Sequence, residues 1–198
     1  LAFTFNGAAT RAESRKALVV KEANAIEQAW LRAGFLDETS RAAMRGLLRD
    51  YLDVRVKAAM GQTDLPLALR ESVALHDKMW ALAEDAGRLT PGSISTGLLV
   101  QSLNEVIDLH LERVTMGIRN RVPPTIWATL YLLLIAAMIM LGAQIGQSET
   151  RHFDLEIAIA ITFATVLFLI TDLDRPQEGL LKVSQEAMVE LQAKLHAH

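Results

Sequence analysis

The feature that most constrains the fold is an uncharged apolar stretch from Pro124 to Gly146. It holds 23 residues without a charged side chain. As a helix, with a rise of about 1.5 Å per residue, it would reach about 34 Å, enough to cross a bilayer core. A second apolar stretch from Leu155 to Thr171 carries one charge, Glu156, at its edge, and a short polar segment separates the two stretches. The pattern predicts a transmembrane helical hairpin over residues 124–171.

A soluble alternative is a hairpin buried in the core of a helical bundle. A core helix normally keeps a polar stripe, because only part of its circumference faces other protein. Here Thr125, Thr129 and Gln144 are the only clearly polar side chains between Pro124 and Gly146. The membrane hairpin is therefore the favoured interpretation.

Composition excludes several classes of function. The chain has 198 residues and a net charge of −3, so its overall charge gives no sign of the positive surface that binds nucleic acid. It has no cysteine, which excludes disulfides, thiolate metal sites and cysteine nucleophiles. Its five histidines are scattered and form no HExxH pair. We therefore expect neither a metal nor another cofactor.

The start of the chain indicates a further span. Residues 1–9 are largely apolar and run directly into Arg11. A signal peptide carries its positive charges before its apolar region, not after it. We interpret residues 1–9 as the end of a transmembrane helix, and we expect the parent protein to be longer, with an even number of spans.

Lysine and arginine near the span ends set the orientation. The hairpin loop holds only Arg151, whereas the other side of the spans carries many basic residues. The positive-inside rule then places both large polar segments, residues 10–123 and 172–198, in the cytoplasm and the short hairpin loop outside. The basic residues concerned are Arg11, Arg15, Lys16, Lys21, Arg113, Arg119, Arg121, Arg175 and Lys182.

Helical periodicity continues through the cytoplasmic segment. Long helices are predicted from the apolar start through Ala33, from Asp37 to about residue 60, from Asp64 to Leu89, and from about Ser93 to Arg121, with Asp37 and Asp64 as caps. Ser184 is the predicted cap of a last, amphipathic helix. The faces predicted to be buried are Val19, Ala23, Ile26, Trp30 and Ala33; Leu69, Val73, His76, Trp80 and Ala83; and Met188, Leu191 and Leu195.

The predicted fold is therefore an all-α integral membrane protein: a transmembrane helical hairpin, the end of a preceding span, and a cytoplasmic bundle of long helices. Its domains are the span end (1–9), the cytoplasmic helical domain (10–123), the hairpin (124–171) and a cytoplasmic tail helix (172–198). His76 and His110 lie near apolar stripes. They are either hydrogen-bonded histidines at the edge of the core or pH sensors.

The end of the second apolar stretch carries Asp172 and Asp174, which oppose the helix macrodipole there. One explanation is an ion pair with Arg175 or with another basic residue. The alternative is a cation site formed by Asp172, Asp174 and Glu178, although the spacing and the glycine of an EF-hand loop are missing.

Two stretches together point to one family. They are Val19–Ile26 (VVKEANAI) followed by Leu31-Arg32-Ala33, and Leu173–Pro176 (LDRP) followed by Gly179 and Val183-Ser184. Phe3-Thr4-Phe5 ahead of Arg11, and Leu103-Asn104-Glu105 ahead of Pro123, extend the similarity over nearly the whole chain. The sequence resembles the bestrophin-like family of bacterial membrane proteins.

This resemblance implies a four-span protein of the bacterial inner membrane and, by the family's likeness to bestrophins, an oligomeric anion channel, with a pentamer among the expected sizes. The chain lacks the proline usual after the first cytoplasmic helix, near Asp37-Glu38, and the acidic calcium clasp of animal bestrophins, so calcium gating is not implied. The positions that match family motifs, to which we assign structural roles, are Glu22, Asn24, Arg32, Asp172, Asp174, Arg175 and Pro176.

For an anion channel, the end of the first span would line the pore. We expect Leu1 and Phe3 to form apolar rings and Asn6 a polar ring below them. Arg11, Arg15 and Lys16 at the inner mouth would attract inorganic anions, because symmetry multiplies each charge by the subunit number. The alternative for the same residues is ordinary: aromatic rings that contact lipid and basic residues that obey the positive-inside rule.

The sequence is compatible with two other kinds of function to different degrees. A non-conducting membrane scaffold or sensor would bind a partner through its helical cytoplasmic domain. An intramembrane enzyme is disfavoured, because neither apolar stretch holds a pair of ionisable residues at mid-depth. Glu22 and Asn24 on the first cytoplasmic helix are the polar pair that could be read as catalytic. They lie two residues apart and so face different sides of that helix. A role in helix packing or in an intersubunit hydrogen bond is the expected one.

Overall fold

The computed structural model describes residues 2–119, 123–147, 153–174 and 183–197, and every regular element in these ranges is a helix. The all-α prediction is therefore confirmed for the described residues. The helices are α1 (Ala2–Ala33), α2 (Glu38–Ala59), α3 (Leu65–Leu89), α4 (Ile94–Val114), α5 (Pro124–Gln147), α6 (Phe153–Asp174) and α7 (Glu186–His196), and a π-helical turn, Thr115–Arg119, follows α4. In these same ranges, no helix combines the length and the hydropathy that a membrane span requires. The transmembrane hairpin stays a prediction.

Local signals explain where the helices begin and end. The Asp37 carboxylate accepts the backbone N–H of Ser40 at 3.0 Å and caps α2, as predicted. Gly61, after α2, has φ +71°, and Gly92, after α3, has φ +77°, a backbone region that favours glycine. Asp64 is the N-cap residue of α3 and a proline follows in the first turn, as predicted, but the Asp64 side chain makes no cap hydrogen bond.

Two further helix limits differ from the sequence expectation. The fourth helix was predicted to reach Arg121, but α-helical geometry ends at Val114, where the π-helical turn begins. Gly117, a weak helix former, lies within that turn. The predicted cap of α7 was Ser184, but the N-cap position belongs to Gln185. The Ser184 hydroxyl still accepts the N–H of Glu186 at 3.3 Å.

The chain divides into two compact units. The bundle unit comprises Ser14–Met116 and Val183–His198, and the apolar unit comprises Leu1–Glu13 and Gly117–Lys182. The bundle unit has a continuous hydrophobic core supplied by α1 to α4 and by α7. The faces predicted for α1 (Val19, Ala23, Ile26, Trp30, Ala33) and for α7 (Met188, Leu191, Leu195) are buried in it, which confirms both.

The predicted buried face of α3 is partly wrong. Val73 was expected inside but is 51% exposed, whereas Ala68, Leu75 and Met79 are buried beside His76. The buried face of α3 runs through Ala68, Ser72, Leu75, Met79, Ala83 and Ala86 on either side of His76. Apolar spacing along the helix allowed either Val73 or Leu75 on this face, and packing against the neighbouring helices decided between them.

The apolar unit contains α5 and α6, whose large apolar side chains are mostly exposed. Threonine hydroxyls on these helices donate to the backbone carbonyl four residues earlier, so they need no outside partner. Leu130 and Ile170 are the large apolar residues buried in its described part. The exposed ones are Ile126, Tyr131, Leu132, Leu133, Ile135, Ile139, Met140, Ile157, Ile161 and Phe168.

Candidate functional site

A cluster of ionisable side chains lies inside the bundle unit. We call it the Glu22 cluster, after the carboxylate at its centre. Glu22 and Tyr51 are fully buried, and the others are between 6% and 13% exposed. Its members are Glu22 from α1, Tyr51 and Arg55 from α2, His76 from α3, and His110 and Arg113 from α4.

The Glu22 carboxylate accepts hydrogen bonds from three side chains. The Tyr51 hydroxyl donates to Oε1 at 2.5 Å, and Arg55 Nε donates to the same oxygen at 3.1 Å. Arg113 Nη1 donates to Oε2. Arg113 Nη2 also donates to Gln185 Oε1 at 3.2 Å, at the N-cap of α7. The cluster therefore joins α1, α2, α4 and the start of the tail helix.

Helical spacing explains why these residues meet. Tyr51 and Arg55 lie four residues apart on α2, and His110 and Arg113 lie three apart on α4, so each pair shares one face. Glu22 is placed on the buried side of α1 by its apolar neighbours Val19 and Ala23. A charged residue on an otherwise apolar face must be paired to be stable there.

The two arginines decide the charge of the carboxylate. Burial alone would raise the pKa of Glu22, but the charges of Arg55 and Arg113 and the hydrogen bond from Tyr51 lower it to about 2. Burial, with the nearby Glu22 charge, raises the pKa of Tyr51 well above its usual range. At neutral pH, Glu22 is therefore ionised, and the Tyr51 phenol keeps its proton and donates it.

The two histidines are buried and neutral. Burial lowers the pKa of each to about 4, and the Arg55 charge contributes at both. The His110 ring packs edge-on against the His76 ring at 5.0 Å, and its Nδ1 lies 3.3 Å from the Tyr51 hydroxyl. His76 packs against the Tyr51 ring at 4.8 Å, and its Nε2 has no hydrogen-bond partner within the described residues. The interpretation as a hydrogen-bonded histidine at the edge of the core thus fits His110 better than His76.

This arrangement is suited to holding helices together. Both carboxylate oxygens are occupied by donors, and the group is closed to solvent. A general base needs an open approach for the proton that it accepts. Glu22, predicted to have a structural role, makes these contacts with two other helices of its own chain, α2 and α4.

Other predicted site residues lie elsewhere. In the apolar unit, Asn6 is exposed, Arg11 is half-buried and Asp172 is buried. In the bundle unit, Arg15 is buried, and Lys16 and Asn24 are exposed. Leu1, Arg175, Pro176 and Glu178, and the side chains of Phe3 and Asp174, lie outside the described residues. Within the described part, no group of three or more histidine or acidic side chains is placed to hold a metal ion.

Arg32, another motif position, has a structural contact of its own. Its Nη1 donates to the Leu98 carbonyl at 2.7 Å and to the Ser102 hydroxyl at 2.8 Å. Ser102 is fully buried. Arg32 therefore fastens the end of α1 to the beginning of α4.

Sequence reasoning missed Tyr51, Arg55 and Arg113 as members of the site. One signal was present: Arg55 follows Tyr51 by four residues, on a helix face that is otherwise apolar. The partner on α1 is far away in sequence, since Glu22 and Arg113 are 91 positions apart. Spacing along one helix could not reveal that contact.

Replacing Tyr51 by phenylalanine tests the hydrogen bonds of the cluster. The change removes one donor to Glu22 and the neighbour of His110 Nδ1 but keeps the ring. We expect the free energy of unfolding to fall by about 1–3 kcal/mol, measured by denaturant unfolding of the full chain in detergent. Tyr131→Phe, on an exposed ring of α5, is the control. Equal stability of the Tyr51 variant and the parent would contradict a stabilising role for this hydroxyl.

Comparison with known proteins gives one match. The family model described as the bestrophin-like domain matches residues 1–188. No curated protein and no solved structure matches the chain.

Proposed function

Because this chain belongs to the bestrophin-like family, we propose that it forms an oligomeric, anion-selective ion channel. The observation that carries the proposal is the extent of the match, which covers residues 1–188. Because a single domain spans nearly all of this chain, few of its residues remain for an unrelated activity.

The proposal places residues 124–171 in the plasma membrane as a helical hairpin, with residues 1–9 as the end of another span. Its support is the charge-free sequence from Pro124 to Gly146. The exposed leucine and isoleucine side chains on α5 add to it, because soluble monomers rarely expose so much apolar surface together. The hairpin includes residues 148–152, which the structure does not describe, so its topology rests on the sequence.

The pore is proposed to run along the first residues of α1. Leu1 and Phe3 would form its apolar rings, and Asn6, which is exposed in the single chain, the polar ring. Among the basic residues of the inner mouth, Lys16 is exposed and Arg11 is half-buried. They would supply most of the field that attracts anions, whereas the buried Arg15 would supply less.

The bundle unit is proposed to hold the cytoplasmic end of the pore helix. α1 is one unbroken helix from Ala2 to Ala33, and Glu22 lies on its cytoplasmic part. The bonds of Glu22 to α2 and α4 would fix that part of α1. A change in the packing of the cluster would then act on the cytoplasmic part of α1.

Flux measurements with purified protein test the channel. The full chain, reconstituted in liposomes, is expected to conduct chloride, with a reversal potential that follows the chloride gradient. Lys16→Glu should reduce the preference for anions, because each subunit then carries a negative charge where a positive one stood. Lys21→Glu, an exposed lysine farther along α1, should leave selectivity unchanged. Absence of conductance, or reversal that follows sodium or potassium, would contradict the proposal.

The alternative is a non-conducting membrane scaffold or sensor that binds a partner. The observation that favours it is the exposure of large apolar side chains on the bundle unit: Phe35 is 73%, Leu89 is 75% and Ile94 is 81% exposed. Mass photometry in detergent separates the two functions. A monomer or dimer supports the scaffold, and a closed ring of more subunits supports the channel.

A further inference from the structure

The chain passes between the two units at three points, and all three leave the bundle unit at one end. They fall between residues 13 and 14, 116 and 117, and 182 and 183. Arg113, just before the second point, contacts both Glu22 on α1 and Gln185 at the start of α7. The start of α1 within the bundle unit, the end of α4 and the start of α7 therefore lie together. We call this end of the bundle unit the connected end.

The turn between α2 and α3 lies at the connected end as well. Arg49 lies 4.9 Å over the Trp30 ring near the end of α1. Arg55, later on α2, pairs with Glu22, which comes earlier on α1. The two helices therefore run antiparallel, so α2 ends, and α3 begins, at the level where α1 enters the bundle unit.

Met60, which follows the last residue of α2, is close to the proposed membrane boundary. Over equal lengths from the ion pair with Glu22, α2 reaches Met60 where α1 reaches Ala17. At about 1.5 Å per residue, Ala17 lies about 12 Å along α1 from Ala9, where the proposed span ends. The headgroup layer extends about 5–8 Å beyond the apolar core. An extended methionine side chain at this level can therefore reach the headgroups.

Large apolar side chains are exposed on both sides of this turn. Met60 is 51% exposed, and Leu67, in the first turn of α3, is 43% exposed. Lys57 is exposed one turn before Met60, and Arg70 is exposed one turn after Leu67. Both cations therefore lie farther from the connected end than the apolar side chains. This order suits a bilayer surface, where acyl chains lie beneath a layer of phosphates.

We propose that the turn between α2 and α3 rests on the cytoplasmic lipid surface, with Met60 and Leu67 inserted at the level of the headgroups. This contact rests on the proposed membrane placement of residues 124–171. A bilayer is the partner inferred because three chain connections hold this end of the bundle unit beside it. Asp64 and Glu71, also exposed here, balance the two cations in number, so the attraction comes from burial of apolar surface.

Fluorescent labels on single cysteines test the contact, since the chain has no cysteine of its own. Met60→Cys and Leu67→Cys in the full chain are labelled with nitrobenzoxadiazole and reconstituted in vesicles of phosphatidylcholine and phosphatidylglycerol. We expect both labels to lose fluorescence when the phosphatidylcholine is brominated on its acyl chains. Leu89→Cys, 75% exposed at the far end of α3, is the matched control. Its label should be quenched by iodide in the water and not by brominated lipid.

A label on Ile135→Cys, exposed on α5, separates this contact from the membrane placement on which it rests. Quenching by brominated lipid at residue 135, but at neither 60 nor 67, would overturn the lipid contact alone. No such quenching at residue 135 would overturn the membrane placement together with the contact. Labels at 60 and 67 that neither brominated lipid nor iodide quenches would be covered by protein, which also overturns the proposal. Circular dichroism checks folding, and should one of these two variants unfold, the other carries the test.

Discussion

Replacing Glu22 by glutamine is expected to lower the free energy of unfolding of the bundle unit by about 3–5 kcal/mol. The change keeps the shape of the side chain and removes its charge. Arg55 and Arg113, 8% and 13% exposed at their side chains, would then be buried without a counter-charge. Because small proteins are stable by only about 5–15 kcal/mol, the loss would be a large share of the total.

The measurement is denaturant unfolding of the full chain in detergent, followed by tryptophan fluorescence. A Trp127→Phe background leaves Trp30 and Trp80, both in the bundle unit, as the only reporters. Asn24→Ala is the control, since Asn24 is exposed on the same helix and should change stability by no more than about 0.5 kcal/mol. A cost below about 1 kcal/mol for Glu22→Gln would mean that the cluster does not hold the helices together.

A second variant separates unpaired charge from lost packing. If the cost arises from uncompensated guanidinium groups, Arg55→Met added to Glu22→Gln should recover part of the stability, because it removes one unpaired charge and keeps a side chain of similar length. If the cost arises from packing, the double variant should be less stable than the single one.

Acidification is expected to destabilise the bundle unit in two steps. His76 and His110 have pKa values of about 4 in the folded chain, against an ordinary 6.5. Below pH 6.5 the unfolded chain binds more protons than the folded one, so stability is complete above that pH and falls as the pH drops toward 4. Each histidine should account for about 2–3 kcal/mol of the loss.

The second step belongs to the carboxylate at the centre of the cluster. The folded pKa of Glu22 is about 2, against an ordinary 4.5. Its stabilising contribution is therefore complete above pH 4.5 and is lost as the pH falls toward 2. The pKa of Asp53 is lowered too: burial opposes this shift, while hydrogen bonds to Gln192 and His196 on α7 cause it. Between pH 6.5 and 4.5, these carboxylates contribute little to the change of stability with pH. Measurements in that window therefore report on the histidines.

The check is a series of unfolding curves between pH 7.5 and 4.5. A variant that carries both His76→Gln and His110→Gln should show a flatter dependence of stability on pH in this window, whatever its stability at pH 7.5. His196→Gln, an exposed histidine on α7, is the control and should keep most of the parent slope. An identical slope in the double variant and the parent would show that the two histidines titrate normally in the folded chain.

Much of the fold follows from signals within single helices. Asp37 and the two glycines Gly61 and Gly92 mark helix limits because caps and positive-φ positions depend only on neighbouring residues. The buried faces of α1 and α7 follow from apolar residues at helical spacing. The motif residues led to the family that the match over residues 1–188 established.

The sequence by itself determined the helical class, most helix limits, the apolar stretches and the family, since each depends on local spacing or on a linear pattern. Tertiary structure decided the rest. It buried Leu75 instead of Val73, brought Arg113 to Glu22 across 91 positions, and stacked the Arg45 and Arg49 guanidinium groups on the Trp30 ring. Those outcomes depend on how helices distant in sequence pack against one another, and periodicity along one helix carries no information about its neighbours.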